Sequence, residues 1–281
     1  MSASLQAGPI AFSLAAVCTW GTSDFMGGYA TRRANAFLLT TVAHAAGLLL
    51  MVTLALLCHS VYPARSSVEW ALAGGLSGGA ALAFFYRALA SGSMGLTATV
   101  GAVLGGALPA VFGIATEGWP GNLRLAGFVL AGIGIWLISR AEGESRPEGL
   151  GLAALAGIGF AGFFLCMKQA GNGSALWLAA SSRAASLVLT GAVVLLGRNF
   201  GALPRKSAAL GLLAGCLDVS GTALFVRASQ TGRLDVAVVL SSLYPAVTVL
   251  LARLVLKERF TRWKLVGLLA GLAAVPLIAA Q

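Results

Sequence analysis

The sequence predicts an all-helical integral membrane protein, ten transmembrane helices arranged as two inverted five-helix repeats. Three observations carry this. Of the 281 residues 58% are hydrophobic and only 10% charged, with a mean hydropathy of +0.88. A soluble domain carries about 25% charged residues, so there is too little polar side chain here to coat a water-facing surface, and lipid must be the outer solvent. Apolar stretches of about 20 residues, the length that crosses the hydrocarbon, recur ten times. Finally, the chain repeats itself at an offset of 140 positions. Phe85-Tyr86-Arg87-Ala88 returns as Phe225-Val226-Arg227-Ala228, Gly92 as Gly232, Leu125 with Gly127 as Leu265 with Gly267, and Leu137-Ile138 as Leu277-Ile278. Each half holds an odd number of crossings, so two copies in one membrane point in opposite directions.

Taken in order, the spans of the first half fall at 9–30, 36–58, 70–90, 95–116 and 123–139. Those of the second half fall at 149–170, 175–197, 207–229, 234–256 and 264–280. They read as helices because the runs are apolar all round, whereas spanning strands would alternate. The opening span lacks a basic leader and outruns a signal peptide, so it is expected to be retained. Gly74-x-x-x-Gly78, Gly75-x-x-x-Gly79, Gly101-x-x-x-Gly105 and Gly267-x-x-x-Gly271 offer small faces on which membrane helices approach closely. Pro109 and Pro245 lie inside spans 4 and 9 and are the hinge candidates, expected to kink them. The longest polar run, Ser139 to Glu148, contains Pro147, which stops a continuous helix. The halves therefore divide near residue 145, into units 1–145 and 146–281.

Charge narrows the function. The net charge of +10 does not point to nucleic acid, because the basic residues are spread over loops at helix ends, where they act as orientation signals. Twelve of the 19 Lys and Arg flank the loops after odd-numbered spans, and that bias places both termini outside the cytoplasm. The ten spans leave no room for a soluble domain, and no phosphate-binding G-x-x-x-x-G-K-[ST] loop is present, so the chain carries no ATP motor. Cys18, Cys58, Cys166 and Cys216 all fall in predicted helices without C-x-x-C spacing, and read as packing residues, not as a disulfide or metal site. No cofactor or metal is expected. Duplicated, inverted membrane units are the architecture of secondary transporters, whose substrate site lies between the repeats at the bilayer midplane.

Asp24 in span 1 and Asp218 in span 8 are the sharpest candidates for that site. A charge at a helix centre costs roughly 2.5–3.5 kcal/mol on insertion scales, so each must face the bundle interior or a wet cavity. Each reads as a proton or cation site, or as a structural partner of Arg183. Arg183 in span 7 either holds a substrate carboxylate or pairs with Asp218, and pairing is the stronger account. His44 either relays protons or is a neutral histidine in a helix interface. Trp20, Phe25, Tyr86 and Tyr244 are candidates for an apolar pocket wall or for plain packing.

Several of these residues carry a family resemblance. Leu240-Ser241-Ser242-Leu243-Tyr244-Pro245-Ala246-Val247-Thr248, then Leu256-Lys257-Glu258-Arg259-Phe260, then Gly267 and Gly271, resemble the closing helices of EamA-type permeases of the drug/metabolite transporter superfamily. Trp20-Gly21-Thr22-Ser23-Asp24-Phe25 is similar to that family's opening Trp-Gly-Ser element, and Arg183 matches an arginine often found in its seventh span. The first half departs from the pattern: Glu117-Gly118-Trp119-Pro120 stands where the second half has Lys257-Glu258-Arg259-Phe260, and Pro109 is out of register with Pro245. The resemblance implies cytoplasmic termini, against the charge bias, and an export direction.

The expected function is a proton-coupled exporter, in a bacterial inner membrane, of a small polar or amphipathic metabolite, with amino acids or amines favoured. Uptake, another coupling ion, and a monomer or homodimer all remain open. The rival class is a non-transporting sensor, channel or scaffold. An enzyme is not expected: Gly75-Leu76-Ser77-Gly78 fits the G-x-S-G pattern of rhomboid proteases, but their base comes from a later helix, and the two histidines, His44 and His59, both precede it.

Overall fold

The computed structural model describes residues 3–91, 94–139, 149–198, 201–257 and 261–279. Helices account for nearly all of them: α1 Ala3–Thr31, α2 Ala36–Leu57, α3 Arg65–Ser91, α4 Met94–Glu117, α5 Asn122–Ser139, α6 Leu150–Gln169, α7 Ala175–Leu196, α8 Arg205–Thr231, α9 Leu234–Ser241, α10 Tyr244–Leu256 and α11 Arg262–Ala279. The polar linker 140–148 and the Glu258-Arg259-Phe260 turn lie outside the described residues. Among the described residues, seven helices are long and apolar enough to cross a membrane: α2, α3, α4, α6, α7, α8, and α9 with α10 taken together. α5 and α11 carry shorter apolar cores, Asn122–Leu137 and Leu265–Ile278. Leu49, Val111, Val188, Leu196, Leu254 and Leu272 all point outward and are exposed, as they would be on a surface solvated by lipid.

Local chemistry sets the ends. Asn35 caps α2, its Oδ1 accepting the Phe37 and Leu38 amides at 2.9 and 3.2 Å, and Ser174 caps α7 through the Trp177 amide. The break between α9 and α10 follows from Pro245. Proline has no N–H for the carbonyl four residues back, here Ser241, and its ring crowds that carbonyl. The chain answers with a tight turn, Leu243 N–H bonding to the Leu240 carbonyl at 3.1 Å and Ala246 N–H to Leu243 at 3.0 Å. Pro109 behaves differently, for α4 runs unbroken through it from Met94 to Glu117.

The helices pack in a regular pattern. α1 lies on α8 and α3 on α6; α3 crosses α7 and α8 crosses α2; α4 lies on α6, and the α9–α10 pair on α1. α2 meets α7, and α5 meets α11. Replacing each helix by its counterpart in the other half leaves this set of contacts unchanged.

Glycine makes the closest crossings possible. A Cβ on Gly75 would collide with the Ser182 carbonyl of α7, and one on Gly215, 140 positions later, with the Ala43 carbonyl of α2. Gly134 brings α5 so near α11 that a Cβ there would sit 2.8 Å from the Gly267 carbonyl. The G-x-x-x-G face of α3 is therefore a real contact surface: Gly74 and Gly78 turn to Met167 and Phe163 of α6, Gly75 and Gly79 to α7. The four cysteines are free, with Cys18 and Cys58 exposed.

Candidate functional site

Helices α1, α3, α4, α6, α7, α8 and the α9–α10 break surround a central cavity, so its wall draws on both halves. About 580 Å³ is free of atoms when the mouth is counted, but only about 50 Å³ admits the centre of a water molecule. The smaller figure decides what fits now: room for a few waters, and not for a metabolite unless side chains or helices move.

Several pairs of positions 140 apart both line this space. Trp20 and Phe160 both line it, and so do Leu82 and Thr222, and Ala102 and Ser242. Asp24 has Phe164 as its counterpart, and Asp218 has Gly78, and all four are in the wall. Each half therefore brings one acid to the cavity, at non-equivalent positions. Phe160, Phe164, Thr222 and Ser242 were not singled out from the sequence. The offset that revealed the duplication, applied to Trp20 and Asp24, leads to Phe160 and Phe164; Thr222 and Ser242 pair with Leu82 and Ala102, which carry no such signal in the sequence.

The two acids are buried to a similar degree, Asp24 with 5% and Asp218 with 7% of its surface exposed. Their partners differ. Asp218 Oδ2 lies 2.9 Å from Arg183 Nη2. The same Nη2 donates to Thr222 Oγ1 at 2.7 Å, and Nη1 approaches His44 Nδ1 at 3.4 Å. Arginine is only a donor, so His44 Nδ1 accepts, which puts the proton of a neutral ring on Nε2. Asp24 has no hydrogen bond or ion pair among the described residues, and its electrostatic neighbours are Asp218, Tyr86 and Tyr244.

The remaining candidates divide between the wall and its backing. Trp20 lines the cavity while its Nε1 donates to the Asp218 carbonyl at 3.0 Å, tying α1 to α8. Tyr244 is also in the wall, with its hydroxyl 3.4 Å from the Ala98 carbonyl. Tyr86, Phe25 and His44 are not in the wall. Tyr86 stands behind it: Ser23 Oγ donates to the Ala214 carbonyl at 2.8 Å, which leaves Tyr86 to donate to Ser23 at 3.0 Å. Phe25 stacks on Tyr29, and His44 reaches the site only through Arg183. Pro245 sets the break that exposes Ser242 to the cavity. Pro109 frees the carbonyl of Gly105, four residues back and in the wall.

One group of charges lies at a helix end, away from the cavity. Lys168, near the end of α6, pairs with Glu117 of α4 at 2.6 Å. Glu117 Oε2 also accepts the Leu234 amide at 2.9 Å. Arg233 donates to the Glu117 and Gly118 carbonyls at 3.1 and 2.6 Å and pairs with Asp235 at 2.8 Å. The ends of α4, α6 and α8 and the start of α9 are thereby clasped together.

Comparison with known proteins adds the family. A solved crystal structure aligns over 97% of this chain and 96% of its own, with a TM-score of 0.74 and 17% identity; at that identity the likeness is one of fold. No curated protein matches the sequence. The model of the EamA-like transporter family matches residues 147–280, the stretch holding Arg183, Asp218 and the Pro245 break. The second half of this chain thus matches the EamA-like transporter family, and that match together with the apolar helices supports an integral membrane transporter.

Proposed function

We propose that the protein is a proton-coupled secondary transporter that exports a small polar or amphipathic metabolite, of amino acid or amine class, across a bacterial inner membrane. In this reading ten helices cross the membrane, counting α9 and α10 as one, and the units 1–145 and 146–281 are inverted repeats with the cavity between them. The exchange symmetry of the helix contacts and the presence of positions 140 apart in one wall support that architecture.

One observation carries the function: a carboxyl from each half opens on the same narrow, largely apolar cavity. Two such groups in lipid would together oppose insertion by roughly 5–7 kcal/mol, so a shared cavity is where they are tolerated. It is also where a proton and a solute compete. A solute held near the carboxylates is released when a proton takes its place, and the proton leaves on the other side before the next solute binds. Alternation of access requires the clasp at Glu117, Lys168 and Arg233 to part in one state and close in the other.

The test is flux in liposomes under an imposed pH gradient. Asp218→Asn and Asp24→Asn keep shape but remove the ionisable proton, and at least one should abolish gradient-driven accumulation while the protein still inserts. If both variants accumulate solute at the wild-type rate and pH optimum, proton coupling through these residues is wrong. A reporter fused after Gln281 fixes the orientation independently: export in the family's sense expects it in the cytoplasm, the charge bias outside.

A further inference from the structure

We propose that the solute is an organic monocation with an apolar body, such as a primary amine, and that Asp24 alone is its counter-charge. This rests on the cavity being the transport site. The first ground is the charge of the wall. Among the described residues its charged groups are Asp24, Arg183 and Asp218, which sum to one negative charge when all are ionised. Arg183 is already engaged, by Asp218 at 2.9 Å, Thr222 at 2.7 Å and His44 at 3.4 Å. Its Nε has no hydrogen-bond partner among the described residues, but its single positive charge is already matched by Asp218. A carboxylate entering the cavity would therefore either add an unmatched charge beside that pair or displace Asp218 and leave it uncompensated, and both are unfavourable. Among the described residues Asp24 has no such partner, although it is buried and part of the wall. A monocation brings the cavity to neutrality; a zwitterion leaves it at one negative charge with an unmatched carboxylate; an anion makes it two.

The second ground is the lining. Trp20, Phe160, Phe163, Phe164 and Tyr244 form much of the wall. Trp20 and Phe225 each lie within 6 Å of Phe164, ring centre to ring centre, so the rings are held by one another. Aromatic faces attract cations through the ring quadrupole and accept an apolar body equally well. A proton on Asp24 achieves the same neutrality as the cation. The two therefore alternate on one carboxylate, one proton for one monocation, with no net charge moved per cycle. The ionisable groups around Asp24 are Tyr86 on α3, Asp218 on α8 and Tyr244 on α10, with Arg183 of α7 elsewhere in the same wall and His44 of α2 behind it.

Three probes with one body and different charge test the proposal by thermal shift on the purified full chain: phenethylamine, phenylalanine and 3-phenylpropionate. Phenethylamine alone should raise the melting temperature. Below the pKa of Asp24 in the protein, its half-saturating concentration should rise about tenfold for each unit the pH falls, because the proton competes for one site. Asp24→Asn should weaken phenethylamine at least tenfold and remove the pH dependence, while Asp24→Glu, which keeps the carboxylate, should retain both. Should Asp24→Asn fail to fold, the wild-type pH series and Asp24→Glu still decide. Preference for phenylalanine or 3-phenylpropionate, no binding of phenethylamine, or pH-independent binding of it, would overturn the proposal. Phenethylamine that binds but is never moved in liposomes refutes transport and leaves the cation site standing. Flux of another solute without phenethylamine binding does the reverse.

Discussion

Asp24 and Asp218 are the same residue type, are buried almost equally and face the same cavity, yet their surroundings differ. Asp218 is locked to a guanidinium that two further side chains hold in place. Asp24 faces the cavity with no counter-charge among the described residues. A buried ion pair stabilises the fold only while both members are present. A buried carboxyl without a partner contributes nothing to stability and must be neutralised by whatever enters. Burial alone does not distinguish the two acids; the presence or absence of a fixed cation does.

Stability measurements can break this contrast. The largest effect is expected from Asp218→Ala, which leaves Arg183 buried and unpaired and should cost about 3–5 kcal/mol. Asp24→Ala should cost nothing or raise the melting temperature, since it removes a buried polar group with no partner. Equal losses in the two variants, read by thermal unfolding in detergent, would show that Asp24 has a hidden structural partner.

A smaller effect is expected at the clasp. Glu117→Gln removes a pair whose side chains are 31% and 20% exposed, so screening limits the loss to about 1 kcal/mol. Its stronger signature is kinetic: a modification reagent should reach Ser242→Cys faster from that end of the bundle. Unchanged reactivity from both sides would mean that the clasp does not control access.

Removing both members of the inner pair, with Arg183→Met and Asp218→Leu together, should be close to neutral for stability, because apolar side chains replace two desolvated charges. A loss as large as that of Asp218→Ala would mean that packing, not charge, explains the single variant. At the far end of the scale, Arg65→Ala breaks a pair whose side chains are 91% and 59% exposed and should leave the melting temperature unchanged within error.

The helices were legible in the sequence because an apolar run is a local property. The expected spans 36–58 and 175–197 became Ala36–Leu57 and Ala175–Leu196, each starting after a capping side chain visible in the chain. Pro245 announced a disturbance, and the helix breaks beside it; Pro109 announced the same and α4 runs on unbroken. Proline removes the same hydrogen bond at both places, and the surroundings decide whether the helix answers with a turn. Phe25 and Trp20 looked alike as candidates, but only Trp20 lines the cavity. Their side chains leave α1 in different directions, and sequence spacing does not say which neighbour each will meet.

The sequence by itself determined that the chain would be helical and bathed in lipid, that it repeats at an offset of 140, and that Asp24, Arg183 and Asp218 would have to avoid lipid. Those conclusions depend on composition, run length and the cost of burying charge, all of which each segment carries with it. Only the tertiary structure decided that Arg183 goes to Asp218 and leaves Asp24 alone. That choice is made where α2, α3, α7 and α8 meet, at a spacing set by glycines such as Gly75 of α3 against α7 and Gly215 of α8 against α2. Close approach of that kind is a property of two surfaces together, and neither helix carries it alone.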